Sequence, residues 1–82
     1  MVEAVRQREQ LTEALLKGHP EFRREFRLHQ DLERELSELD RHTFLSANEE
    51  LERKRIQKLK LAHKDRMEEI LREHYVRVSS AA

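Results

Sequence analysis

The feature that most constrains this chain is the stretch Asp40–Glu50, where helical periodicity stops and then restarts. Within it, Ser46 and Glu49 have the spacing of a capping box, in which each side chain accepts a hydrogen bond from the other residue's backbone N–H. Amphipathic segments flank this break on both sides. Because a short break lets two such helices pack side by side, the sequence predicts an antiparallel helical hairpin resembling a coiled coil.

The composition favours a fold made only of helices. The chain has 82 residues, 41% of them charged, and its single Gly and single Pro are too few turn formers for a β fold. A chain of this length forms at most one domain, so we expect one all-helical domain over residues 1–82. Because there is no cysteine, disulfides, thiolate metal sites and thiol catalysis are excluded.

The charge balance and the short apolar runs limit the partners. With 17 basic and 17 acidic side chains the net charge is zero, which weakens binding to nucleic acid or anionic membranes through bulk charge. No apolar run is long enough for a transmembrane helix or a signal-peptide core. We therefore expect no membrane association and a cytoplasmic location.

Helix signals divide the chain into three helices, predicted at residues 2–17, 20–40 and 47–77, with a turn at 41–46. Lys17-Gly18 is a C-terminal signal for the short first helix, since glycine can adopt a positive φ there. Pro20 fits the first turn of the next helix, where its missing N–H costs nothing. Residues 18–20 are thus expected to form a sharp joint.

An apolar seam is predicted to hold the second and third helices, the two arms of the hairpin, together. Its residues recur every three or four positions. They are Phe22, Phe26, His29, Leu32, Leu36 and Leu39 on the second helix, and Ile56, Leu59, His63, Met67, Ile70 and His74 on the third. Folding the arms about the turn places large side chains opposite each other, which favours a packed hairpin.

The third helix is the longer arm, so its far end extends beyond the second. Thirty helical residues span ~45 Å, against ~30 Å for twenty. The apolar residues left without a partner are Ile70, Leu71, Tyr75, Val76 and Val78. Either the first helix folds back over them through Leu11 and Leu15, or a second copy packs there. Leu28 and Leu61 lie off the seam, which also favours association.

Five histidines are the candidates for metal chemistry. His29 and His63 lie on facing arms of the seam, an arrangement that can hold a metal or haem in helical bundles. About one turn separates them in the expected register, so joint ligation would need a second chain. We expect instead that His29 forms a hydrogen bond that fixes the register, with no metal and no cofactor. A histidine on the seam could also make association pH-dependent.

Residues 53–66 form a basic run, with seven basic side chains against one acid. Such a run could contact phosphate or nucleic acid. However, no aromatic residue interleaves it and no readout motif accompanies it. We expect it to be a solvated helix face paired with the acidic second helix, so nucleic-acid binding is the alternative interpretation.

Phe44 and Leu45 lie in the turn. Exposed, they would form a tip that binds a partner. We expect instead that they cover the end of the bundle over Leu39 and Leu51.

The middle of the chain resembles the YdcH-like family of small bacterial proteins, a domain of unknown function. The matching motifs, which span roughly residues 19–71, are His19-Pro20-Glu21-Phe22, Phe26-x-x-His29-x-x-Leu32, Ser46-x-x-Glu49-Glu50 and Lys60-Leu61-x-x-Lys64-Asp65-x-Met67. The chain departs from the family pattern at His63, where the family has Leu, and in its longer N-terminal part. The resemblance implies an antiparallel α-hairpin in the bacterial cytoplasm and brings no established activity.

Nothing in the sequence predicts an enzyme, because there is no nucleophile motif and no glycine-rich loop, and a solid helical seam offers no pocket. We predict a non-enzymatic module that self-associates or docks on an unidentified protein. Its candidate interaction residues are Phe22, Phe26, His29, Leu32, Phe44, Leu45, Leu59, Leu61, His63, Met67, Ile70 and Leu71.

Overall fold

The computed structural model describes the backbone of residues 2–81 and the side chains of residues 3–75. Within the described residues it contains three helices and no strand: α1 (Val2–Gly18), α2 (Pro20–Asp40) and α3 (Ala47–Ala81). Helix α3 continues past the predicted end at residue 77, since no Gly or Pro interrupts the chain there. None of the described helices is long and apolar enough to cross a membrane.

The joint between α1 and α2 turns at His19. This residue has extended backbone angles (φ −124°, ψ 99°), as expected before a proline, and its ring Nδ1 accepts a hydrogen bond from the Phe22 N–H at 3.0 Å. Gly18 does not have a positive φ, so the predicted left-handed cap is wrong. The His19 N–H instead donates to the Leu15 carbonyl at 2.8 Å, which completes the last turn of α1.

The capping box at the start of α3 is confirmed. The Ser46 N–H donates to Glu49 Oε1 at 3.0 Å, and the Glu49 N–H donates to Ser46 Oγ at 3.2 Å. These bonds satisfy two backbone donors that would otherwise have no partner at the helix start. The hydrogen bond from the Ser46 N–H is the largest of the effects that lower the pKa of Glu49 below its ordinary value.

Helices α2 and α3 pack together, and four ion pairs join them. In order along α2 these are Glu21–Arg66, Glu25–His63, Glu33–Lys60 and Asp40–Arg53. The later a residue of α2 lies in the chain, the earlier its partner lies in α3. The pairs involving Arg and Lys have nitrogen–oxygen distances of 2.7 to 3.6 Å, and their exposed side chains contribute little stability.

The core lies where all three helices meet. Its buried residues are Leu15 of α1, Phe22 of α2, and Met67, Ile70 and Leu71 of α3. Leu11, Leu16 and Phe26 pack against this cluster. Helix α1 thus folds back over the far part of α3, which is the first of the two alternatives for covering Ile70 and Leu71. The side chains of Val76 and Val78 lie outside the described residues.

Candidate functional site

The predicted interaction residues differ sharply in exposure. Four of them, Phe22, Met67, Ile70 and Leu71, are buried in the core, so they stabilise the fold and are not available to a partner. Five are partly buried: Phe26, His29, Leu32, Leu45 and His63. The remaining three, Phe44, Leu59 and Leu61, are exposed. Any apolar interaction surface must therefore centre on the exposed group.

The most exposed large apolar side chain of the described residues is Phe44, at 88%. It lies in the loop between α2 and α3, and Leu51, in the first turns of α3, is 65% exposed at the same end of the molecule. The prediction that Phe44 covers the bundle end over Leu39 and Leu51 is therefore wrong. The loop leaves the ring in water, and we call residues 41–51 the tip.

Ion pairs and hydrogen bonds hold the tip in place. Arg53 Nε donates to Asp40 Oδ1 at 2.9 Å, and His42 Nδ1 lies 2.9 Å from Glu49 Oε2. The Arg41 backbone N–H donates to the Glu38 carbonyl at 3.3 Å. Phe44 is thus exposed on a loop that these bonds hold in place.

Glu25 is a buried residue that was not among those predicted from the sequence. This carboxylate is buried and contacts the His63 ring through Oε2 and Nδ1, between α2 and α3. Its spacing could have indicated that it is buried. Glu25 lies three residues after Phe22 and four before His29, which places it on the inner side of α2. A buried carboxylate needs a partner, and His63 supplies one.

His29 does not form the hydrogen bond expected of it. Its Nε2 is buried and has no hydrogen-bond partner among the side chains and backbone groups that the structure describes. The polar link between the arms is instead made by His63 with Glu25, one turn away along α2. The prediction that His29 fixes the register by hydrogen bonding is therefore wrong.

Two other histidines meet at the joint of the three helices. The rings of His19 and His74 lie with centroids 5.1 Å apart and nearly perpendicular, at 81°. His19 Nδ1 accepts from a backbone N–H, so it carries no proton, whereas His74 Nδ1 donates to the Ile70 carbonyl at 3.0 Å. The Nδ1 atom of His19 thus caps α2, and that of His74 bonds to the backbone of α3. We therefore assign the two histidines a role in the fold and not in binding.

The basic run at 53–66 is largely paired within the chain. Arg53, Lys60 and Arg66 pair with acids of α2, and Arg55 pairs with Glu52 at 3.6 Å. Hydrogen bonds from Arg66, first to Glu21 and then to Glu69, raise the pKa of its guanidinium. Because these cations already have carboxylate partners, phosphate contact would require breaking those pairs.

No group of three His, Asp or Glu side chains comes together to hold a metal ion within the described part of the chain. The comparisons with known proteins find no similarity: no family model matches the chain, and neither a curated protein nor a solved structure does.

Proposed function

We propose that the chain is an antiparallel helical hairpin, buttressed by α1, that acts as a non-enzymatic protein-interaction module through its tip. The observation that carries this proposal is the 88% exposure of Phe44 on an anchored loop. The ring contributes nothing to the core, and exposed aromatic rings are frequent anchors of protein–protein interfaces.

The chemistry of the tip defines the partner. Six of the charged side chains that frame it are paired with one another, as Arg53–Asp40, His42–Glu49 and Arg41–Glu38, whereas Glu50 is exposed. What the tip offers is therefore Phe44 together with Leu51. The matching partner is a protein with an uncharged apolar pocket that can take an aromatic ring.

The resemblance to the YdcH-like family supports the proposed hairpin and suggests where the protein is found. Its motifs include Ser46-x-x-Glu49-Glu50, which forms the base of the tip. From this resemblance we propose a bacterial cytoplasmic protein. The family brings no activity, so the functional argument rests on the tip alone.

The test places a photo-crosslinking amino acid, p-benzoylphenylalanine, at position 44 in the native cells. The control places it at Asp65, which is exposed on α3 well away from the tip. We expect a discrete adduct with another protein from position 44 and none from position 65. The proposal is wrong if position 44 gives no adduct, gives only the adducts seen from position 65, or crosslinks only to a second copy of the chain.

A companion variant, Phe44→Ser, separates binding from folding. Because the ring is exposed, the free energy of unfolding should change by no more than about 0.5 kcal/mol. Affinity for the crosslinked partner should fall roughly 30-fold, as expected for an anchor residue contributing about 2 kcal/mol. Unchanged affinity would contradict the role of Phe44.

A further inference from the structure

A second apolar surface, separate from the tip, lies on the α2–α3 pair. Leu28 is 37% exposed and Leu59 is 38% exposed. Leu28 lies one turn after Glu25 on α2, and Leu59 lies one turn before His63 on α3. Glu25 and His63 contact each other. The two leucines therefore lie side by side at the same level. We call this surface, with the neighbouring Glu35 and Arg55, the rear face.

The rear face points away from α1. Glu68, which pairs with Arg8 of α1, is nine residues beyond Leu59, or about 2.5 turns, so the two side chains lie on opposite sides of α3. On α2, Phe26 packs against the core that α1 covers, and Leu28 lies about 200° further around the helix. Helix α1 cannot cover the two leucines.

Charge differs between the two helices of this face. Residues 31–40 of α2 hold five acids against one Arg, and residues 51–60 of α3 hold five bases against one Glu. Two of these acids and two of these bases already pair between the helices, as Glu33–Lys60 and Asp40–Arg53, so the charges available to a second copy are the remaining ones, among them Glu35 and Arg55. Glu35 lines the same shallow concavity as Glu52 and Ile56, which places it level with Arg55. Arg55 has only an exposed pair with Glu52 on its own helix. Glu35 forms no ion pair with any residue between 3 and 75, the range whose side chains are described.

We propose that a second copy of the chain occupies the rear face. A two-fold axis along the length of the α2–α3 pair places α2 of each copy over α3 of its partner. The acidic helix then faces the basic one in both halves of the interface, and Glu35 of each copy meets Arg55 of the other. The leucine pairs pack at the centre, and the result is a four-helix bundle with α1 on its two outer faces.

The competing arrangement of two copies is disfavoured. A two-fold axis across the helices would place α2 over α2 and α3 over α3 in reversed direction, so Glu35 of one copy would not face Arg55 of the other. A surface that carries one acidic and one basic helix at equal height is complementary to itself only in the first arrangement. This self-complementarity is the reason to assign the surface to a second copy and not to an unrelated protein.

The first arrangement also places both tips at the same end of the dimer. If the tip binds a partner as proposed above, the dimer presents two Phe44 rings together, and a partner with two pockets gains affinity from the second. This bivalence rests on the proposed function of the tip, whereas the dimer itself does not.

The experiment measures dimer dissociation by sedimentation equilibrium, with circular dichroism to check that each variant is folded. Glu35→Arg and Arg55→Glu should each weaken the dimer about tenfold or more, since each creates two like-charge contacts. The double variant Glu35→Arg/Arg55→Glu restores both contacts with the signs exchanged, so its dissociation constant should return to within about threefold of the original.

An apolar pair of variants completes the test. Leu59→Ser should weaken the dimer about tenfold or more, whereas Leu61→Ser should leave it unchanged. Leu61 is the stricter control because it is more exposed than Leu59, at 59%. The two side chains also point about 160° apart around the axis of α3.

Several results would overturn the proposal. These are a monomer at about 1 mM protein, a double charge variant weaker than either single one, or equal losses from Leu59→Ser and Leu61→Ser. The dimer and the binding role of the tip can fail separately. A monomeric chain leaves the crosslink from position 44 to another protein untouched, and a missing crosslink leaves the dissociation constant of the dimer untouched.

Discussion

Replacing Leu15 by Ala should strongly destabilise the protein, because Leu15 is the residue through which α1 enters the core. Its side chain is buried among Phe22, Met67, Ile70 and Leu71. The substitution removes three carbons, worth about 2.4 kcal/mol at about 0.8 kcal/mol per buried methylene. The cavity left behind brings the expected cost to about 2.5–4 kcal/mol. Ala is as good a helix former as Leu, so helix propensity does not contribute.

The matched control is Val5→Ala in the same helix. Val5 is exposed, so its truncation should cost no more than about 0.5 kcal/mol. Urea unfolding followed by circular dichroism gives both free energies, and a domain of this size should lose roughly 10–25 °C in Tm with Leu15→Ala. If Leu15→Ala costs no more than Val5→Ala, α1 does not pack on the rest of the chain and the reasoning is refuted.

Four further predictions follow from single contacts. Gly18→Ala should raise the free energy of unfolding by about 0.5–1 kcal/mol, since Gly18 lacks a positive φ and a Cβ there meets open space; thermal unfolding checks this, and a loss would contradict it. Ser46→Ala should cost about 1 kcal/mol and, in an NMR titration, raise the pKa of Glu49 towards its ordinary value; an unmoved pKa would contradict the capping box. Because the pKa of Glu49 is lowered in the folded state, its ionised carboxylate should stabilise the fold above the ordinary pKa of glutamate. This contribution to the free energy of unfolding should be lost as the pH falls through the lowered pKa, and unfolding curves recorded across this pH range measure it. Glu25→Ala should cost about 1–3 kcal/mol by leaving His63 without its partner, whereas the double variant Glu25→Leu/His63→Leu should cost less in urea unfolding; the reverse order would contradict a buried pair.

The nucleic-acid alternative is tested by titrating fluorescent DNA and RNA at low salt. Four of the seven basic residues in the run are already paired with carboxylates, so we expect no binding at micromolar protein concentrations. Binding that weakens steeply with added salt would restore this alternative.

Local features of the fold could be predicted from the sequence. The capping box joins two residues three positions apart, so its chemistry is contained in a short segment. The position of Pro20 at the start of α2 follows in the same way from its missing N–H. Interactions of this range need no knowledge of how the helices are arranged.

Features that depend on the tertiary arrangement could not be predicted. Whether α1 or a second copy covers Ile70 depends on the direction set by the His19 joint, which the sequence leaves open. Phe44 was expected to be covered because it is apolar, but the path of the loop places it in water. Glu25 is charged, so the apolar periodicity does not include it in the seam, although its spacing matches the inner side of α2 and the side chain is buried.

Helix α1 completes the core of its own chain, which leaves the tip and the rear face uncovered. Methyl nuclear Overhauser effects between Leu15 and Ile70 measure this contact, recorded on a sample that mixes labelled and unlabelled chains. We expect strong effects within one chain and none in the spectrum filtered for contacts between chains. Effects that appear only between chains would show that a second copy, and not α1 of the same chain, covers α3.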